Sequence, residues 1–397
     1  MKWKLRFGAA LGNTLEYYDI AVFAAISIYL SAELERLGYV QATEMIWGIF
    51  ALRFLIRPIG GYVIGRYADN AGKKSALVLT SLITGIATLC MALLPIQLLG
   101  TYTPLVILIL QLALSFSFAG EFPSLVIYLL NSAKNNERGR VSSMAVGSSV
   151  LGIIISLGLV LTLQSNLDEE TMQSIGWRIP LFLGVINIAV SFWFRSKLPS
   201  QPTMSNKLYK INWYLVFHVI LLTIPGTVIF YAQNISTSLI LEYLKIGEYK
   251  NIYAISLSGL LLIFMTFCGW WTDKYSSSIK VFKAGVMGMV LFSAPLYFVL
   301  NSDILFFILL SQLLMTIYSS MILCNLSAVL ADYSNGQVTI LGIGYNCSAA
   351  FLGGITPLMV NYLSDFNLAF VGGFIAICGL AFFISYWLPK SKSLELN

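Results

Sequence analysis

Five charged side chains, Glu16, Asp19, Arg53, Arg57 and Glu121, lie inside stretches that are otherwise apolar enough to cross a bilayer. An ionised group at mid-membrane costs from a few to about 10 kcal/mol unless it is paired or faces an aqueous path. Such residues persist where protons or solutes pass. Glu16 and Asp19, three apart, share one helix face, and Arg53 and Arg57, four apart, share another. A carboxylate can load and release a proton, and a guanidinium can hold a solute carboxylate through two parallel hydrogen bonds, which makes Arg53 the first candidate for that role. Three acids against two bases leave one negative charge, which a single proton would balance. Asn13, Tyr17, Gln111, Tyr345 and Asn346 are candidate polar lining, although each alone fits ordinary interhelical hydrogen bonding as well. Buried ion pairs that only fix helix register are the structural alternative for the charged set.

The elements that must carry these residues follow from composition. A 397-residue chain that is 58% hydrophobic and 11% charged has too little polar surface to cover a water-soluble globule of this size. Apolar runs of about 20 residues read as helical spans near 8–32, 44–66, 75–95, 103–131, 139–163 and 178–196. Six more read near 212–241, 250–272, 279–300, 304–330, 336–363 and 368–388. Alternation of period two is absent, so a β-barrel is not indicated. The first span carries Glu16 and Asp19 in its middle, which marks it as a membrane helix and not a cleavable leader. Glu16, Asp19, Arg57 and Glu121 then share a layer about 8 to 11 residues from the helix ends, roughly 12–16 Å deep. The glycines at 147, 152 and 158, and at 342, 344, 353 and 354, read as close helix contacts, and Pro58, Pro123 and Pro357 as kink positions.

With both termini in the cytoplasm, 18 of the 24 Lys and Arg residues, Arg195 among them, fall in inner segments and four in outer ones. That bias is the positive-inside signature. The net charge of +6 is therefore topological, and the scatter of basic residues over six short segments argues against a nucleic-acid footprint. Five cysteines lie in apolar spans without paired spacing and read as small core residues. His218, the single histidine, reads as a hydrogen-bonded packing residue. There is no P-loop, metal-ligand cluster or nucleophile with a base at workable spacing, so neither an enzyme nor a bound cofactor is indicated.

The chain divides at its middle. Residues 198–211, LPSQPTMSNKLYKI, lose hydrophobicity and read as a cytoplasmic linker between six-helix bundles at 1–197 and 212–397. The loop after the second helix of each half carries a related string, Gly65 to Lys74 in the first and Gly269 to Lys274 in the second. Two six-helix halves with a shared loop point to a transporter built from repeats, an all-α membrane protein of twelve helices.

The string GxxxDxxGKK at 65–74 resembles the loop signature of the major facilitator superfamily. Further strings, GNTLEYYDIAVF at 12–23, RPIGGYVIGRYAD at 57–69, AGEF at 119–122, ERGR at 137–140, GWRIPLF at 176–182 and GIGYNCSAAFLGGITPL at 342–358, resemble the metabolite:proton symporters, among them proline/betaine, citrate, dicarboxylate and shikimate porters. The resemblance implies alternating access in the bacterial inner membrane. It implies proton-coupled import of a carboxylated or zwitterionic metabolite by a monomer in lipid. It also implies a gating loop of Gly65, Asp69, Gly72, Lys73 and Lys74, and proton coupling at Glu121 or Asp19, with Glu16 as partner of Arg57. Departures are present: Asn70 stands where the loop usually has a basic residue, Arg53 stands at a usually small position, and the second loop continues Tyr275-Ser276-Ser277-Ser278. A proton-driven exporter on the same fold and a non-transporting membrane sensor are the alternatives.

Overall fold

The computed structural model describes residues 2–36, 38–201, 210–234, 243–244 and 250–388, and among these the regular structure is helical. Thirteen main helices are labelled in chain order. The first seven are α1 (Trp3–Arg36), α2 (Ala42–Leu55), α3 (Arg57–Ala71), α4 (Lys73–Ala92), α5 (Thr103–Asn131), α6 (Arg138–Asn166) and α7 (Arg178–Ser196). They are followed by α8 (Trp213–Asn234), α9 (Lys250–Tyr275), α10 (Ser278–Val299), α11 (Leu305–Tyr333), α12 (Val338–Ser364) and α13 (Leu368–Trp387). Among the described residues eleven helices are long and apolar enough to cross a membrane, and α2 with α3 makes a twelfth span bent by 41°. The far end of the seventh expected span, 212–241, and most of the linker lie outside the described residues.

The bend has a local cause. Pro58 has no N–H to donate, and its ring would clash with the carbonyl of Phe54 in a continuous helix. The chain therefore stops at Leu55 and restarts at Arg57, with Pro58 in the first turn and Gly60 N–H returning to Ile56 O at 2.9 Å. Arg53 and Arg57 consequently flank a helix break. Pro123 and Pro357 lie inside continuous helices.

The chain packs as two compact units, Met1–Tyr128 with Ser148–Lys207 and Leu129–Gly147 with Leu208–Asn397. In the first, α1 packs on α2 and α7, and α4 on α3 and α7. Helix α6 lies directly on α1, since a Cβ at Gly152 would run into the Thr14 carbonyl. Tyr18, Phe23, Ile26, Leu30, Met91, Ile107 and Trp177 form a buried core there. In the second, α8 packs on α11, α12 and α13, and α10 on α11 and α13. Gly344 and Gly353 meet Val219 and Tyr231 closely, whereas Gly158 and Gly354 face open space and are not contact positions.

Large apolar side chains point outward from both units, including Ile59, Ile86, Leu105 and Ile109 in the first and Ile263, Leu291, Phe306 and Phe351 in the second. In water such a surface would aggregate; against hydrocarbon it costs nothing. His218 is the packing residue expected, with Nδ1 2.8 Å from Ser385 Oγ. Cys268 and Cys324 are buried, but Cys90 is exposed and is not a core residue.

Candidate functional site

One face of α1 carries Asn13, Glu16 and Asp19, all buried, with Tyr17 half-buried beside them. Asn13 Nδ2 donates to Ser148 Oγ and Ser149 Oγ of α6, both at 2.8 Å. Asp19 Oδ2 accepts from Thr88 Oγ1 of α4 at 3.3 Å, and Arg53 is its cationic neighbour. The end of α2 aims Arg53 Nη1 at Gln111 Oε1 of α5, 2.7 Å away. One turn on, Arg57 Nε donates to Ser115 Oγ at 3.4 Å, its guanidinium stacked 4.9 Å from the Phe54 ring centroid. Arg57 Nη2 is buried and has no hydrogen-bond partner among the described residues.

A sixth charge completes this layer. Arg195, expected in an inner loop, is 1% exposed in the last turn of α7 and belongs to the buried set. Its Nη2 donates to Glu121 Oε1 at 2.5 Å, and its Nη1 to Ser81 Oγ at 2.6 Å and Leu77 O at 3.2 Å. Gly12 makes room for it, because a Cβ there would coincide with the guanidinium. Glu16 has Arg57, Arg195 and Arg53 as cationic neighbours and Glu121 as an anionic one. With Arg195 added, this set holds three acids and three guanidiniums, so the single uncompensated negative charge expected from the five residues alone is not left within it. Arg195 escaped notice because it adjoins Ser196 and Lys197 at a helix end, where a basic residue normally reaches headgroups.

The loop residues sit at the junction of α3 and α4. Gly65, Asp69 and Lys73 are buried, Asp69 is the charged neighbour of Lys73, and Lys74 is half-buried. Gly72 turns the chain with φ +99°, a conformation that disfavours any side chain, while its N–H reaches Ala68 O at 3.1 Å. At the opposite end of α1, Glu33 Oε2 accepts from Trp177 Nε1 at 2.6 Å and from Arg178 Nη1 at 3.4 Å.

In the second unit Asn346 Nδ2 donates to Gly342 O at 2.7 Å and Tyr345 is half-buried. Polar pairs not singled out from sequence occur here: Gln312 Nε2 donates to Gln233 Oε1, and Ser258 Oγ to Asn234 Oδ1, both at 3.0 Å. The second-half loop is more engaged than its degenerate sequence implies. Asp273 accepts from Gly139 N at 2.6 Å, Arg140 N at 3.0 Å and Arg140 Nε at 2.9 Å, while Arg138 pairs with Asp332. Acidic charge at a helix start meets unsatisfied N–H groups and the positive end of the dipole. Asp273→Ala should therefore cost about 1–3 kcal/mol. It should speed amide exchange over residues 138–147, which hydrogen–deuterium exchange would read; unchanged protection would show that the contact is incidental.

Helical spans, an apolar exterior and buried balanced charge define a multi-pass membrane transporter. The Major Facilitator Superfamily model matches residues 9–355, and the chain belongs to that family. The alpha-ketoglutarate permease of Escherichia coli K12 is 26% identical over 98% of this chain and 94% of its own length. A putative proline/betaine transporter of Staphylococcus aureus MSSA476 is also 26% identical, over 89% of this chain and 80% of its own. Among solved structures, the proton:xylose symporter XylE bound to 6-bromo-6-deoxy-D-glucose superposes with TM-score 0.81 at 15% identity, covering 99% of this chain and 98% of that one, which establishes the shared fold. The protein is a transporter of small metabolites and not an enzyme.

Proposed function

We propose that the protein imports a small carboxylated or zwitterionic metabolite together with protons, by alternating access, from an inner membrane in which both termini face the cytoplasm. The observation that carries this reading is the balanced buried set, Glu16, Asp19 and Glu121 against Arg53, Arg57 and Arg195. A solute carboxylate entering such a set leaves it one charge negative, and in a low-dielectric site that excess is costly. A co-transported proton restores neutrality. The spare Arg57 Nη2 supplies a donor for the carboxylate, with Arg53 alongside, and relatives bearing the names alpha-ketoglutarate permease and proline/betaine transporter support the solute class. Asn13, Tyr17 and Gln111 would line the same site, and Tyr345 and Asn346 are further candidates for solute contact.

The stoichiometry gives the reading a second handle. One proton with a monocarboxylate moves no net charge, whereas one proton with a zwitterion moves one charge inward, worth about 2.3 kcal/mol per 100 mV. In proteoliposomes, an inward proton gradient should drive accumulation of 2-oxoglutarate, proline or betaine, and an imposed negative-inside potential should assist only solutes carried with net positive charge. Gradient-driven loss of solute from the same vesicles would replace import with export. Accumulation indifferent to the proton gradient would end the symport reading.

A further inference from the structure

Between α1, α4, α5 and α7 of the first unit lies a cavity of about 10 Å³, room for roughly one water molecule. Glu16, Glu121, Arg195, Ser81, Ser191 and Gly12 are among its walls. Three buried polar atoms of these residues, Glu16 Oε2, Ser191 Oγ and Arg195 Nε, have no hydrogen-bond partner among the described residues. Three unpaired buried groups in one place would cost about 1–3 kcal/mol each. A single water has the donors and acceptors such a set needs: it would accept from Arg195 Nε–H, donate to Glu16 Oε2 and exchange a bond with the Ser191 hydroxyl.

We propose that this water-sized cavity is where the coupling proton is held, on Glu16 and shared through the bound water toward Glu121, and that Asp19 is a solute-side residue and not the proton carrier. The inference rests on the symport reading and deepens it. The charged groups facing the pair are Arg195 on α7, Arg57 at the start of α3 and Arg53 on α2. Asp19 is not among the cavity walls; its carboxylate faces Thr88, with Arg53 as its cationic neighbour. Glu121 is paired with Arg195, and Arg57 and Arg53 stand among the cationic neighbours of Glu16. When a solute carboxylate engages Arg57, Glu16 and Glu121 are left with Arg195 between them, two negative charges to one positive. A hydronium ion from the aqueous side then gives its proton to Glu16, its O–H bond breaking to leave water as the carboxyl O–H bond forms, and the reverse transfer to water follows when the solute leaves. Arg195 excludes a metal cation from the same space by its own charge, while leaving room for a neutral water or a proton on it.

The test is infrared difference spectroscopy of the full-length protein in liposomes across a pH step, in light and heavy water, with and without 2-oxoglutarate or betaine. A protonated carboxyl band should appear with solute, vanish in Glu16→Gln, shift in Glu121→Gln and in the milder Ser191→Ala, and persist in Asp19→Asn. Loss of the band in Asp19→Asn with Glu16→Gln unaffected would overturn the assignment, as would a band indifferent to every variant or no band at any pH. Parallel uptake measurements separate the two levels. Failure of gradient-driven accumulation by the unmodified protein sinks the symport reading, whereas accumulation with the wrong carboxyl band sinks only the location of the proton.

Discussion

Arg195→Leu should destabilise the first unit by about 3–5 kcal/mol, the cost of leaving a buried charge without its partner. The guanidinium is 1% exposed and serves three acceptors at once: the Glu121 carboxylate, the Ser81 hydroxyl and the Leu77 carbonyl. Removing it leaves Glu121 buried without its paired cation, beside the Glu16 carboxylate, and empties a volume that Gly12 keeps open. The double variant Arg195→Leu with Glu121→Leu should recover most of the loss, because two well-packed apolar side chains escape the desolvation that the pair overcomes only by excellent geometry. Thermal unfolding of the detergent-solubilised protein, completed as a double-mutant cycle, measures both effects. If the single variant unfolds like the parent, Arg195 is not the counter-ion of Glu121, and the balanced charge count fails with it.

Much of the fold was legible because bilayer thickness and backbone satisfaction leave few choices. Spans read at 103–131 and 178–196 coincide with α5 and α7, and most others differ by a turn or less at their ends. Two features were not legible for physical reasons. Hydropathy averages over a window, so it could not reveal that one apolar run from 44 to 66 is two helices broken at Ile56; the proline signalled a kink but not a restart. Likewise, the depth of an arginine at a helix end depends on whether the neighbouring helix leaves space. Only the packing of Gly12 against α7 decides that Arg195 turns inward. The odd charge count in the sequence was itself the trace of this missing cation. The polar pairs of α8, α9 and α11 were missed because Gln and Asn in a membrane helix carry no charge to balance, and nothing in their spacing separates lining from packing.

Arg57→Lys should raise the KM for a carboxylated solute roughly tenfold to a hundredfold while leaving folding intact. A guanidinium meets a carboxylate through two parallel hydrogen bonds, and an ammonium offers a point charge without that fork. Losing one charge-assisted bond of about 1.5–3 kcal/mol corresponds to that range. The surroundings favour Arg57 over its neighbour for this role. Arg53 Nη1 is already committed to Gln111, whereas Arg57 is held by Ser115 and the Phe54 ring through its Nε and its face, leaving Nη2 to donate. The position at the head of α3 matters too, because a residue beside a helix break can change direction with the hinge while the rest of α3 moves as a body. Uptake kinetics in proteoliposomes for 2-oxoglutarate, and for a neutral analogue lacking the carboxylate, separate a lost contact from a lost fold. The carboxylate should lose affinity and the neutral compound should not. Equal losses for both would make Arg57 a structural residue at the bend, and Arg53 would then be the remaining guanidinium positioned to meet a solute carboxylate.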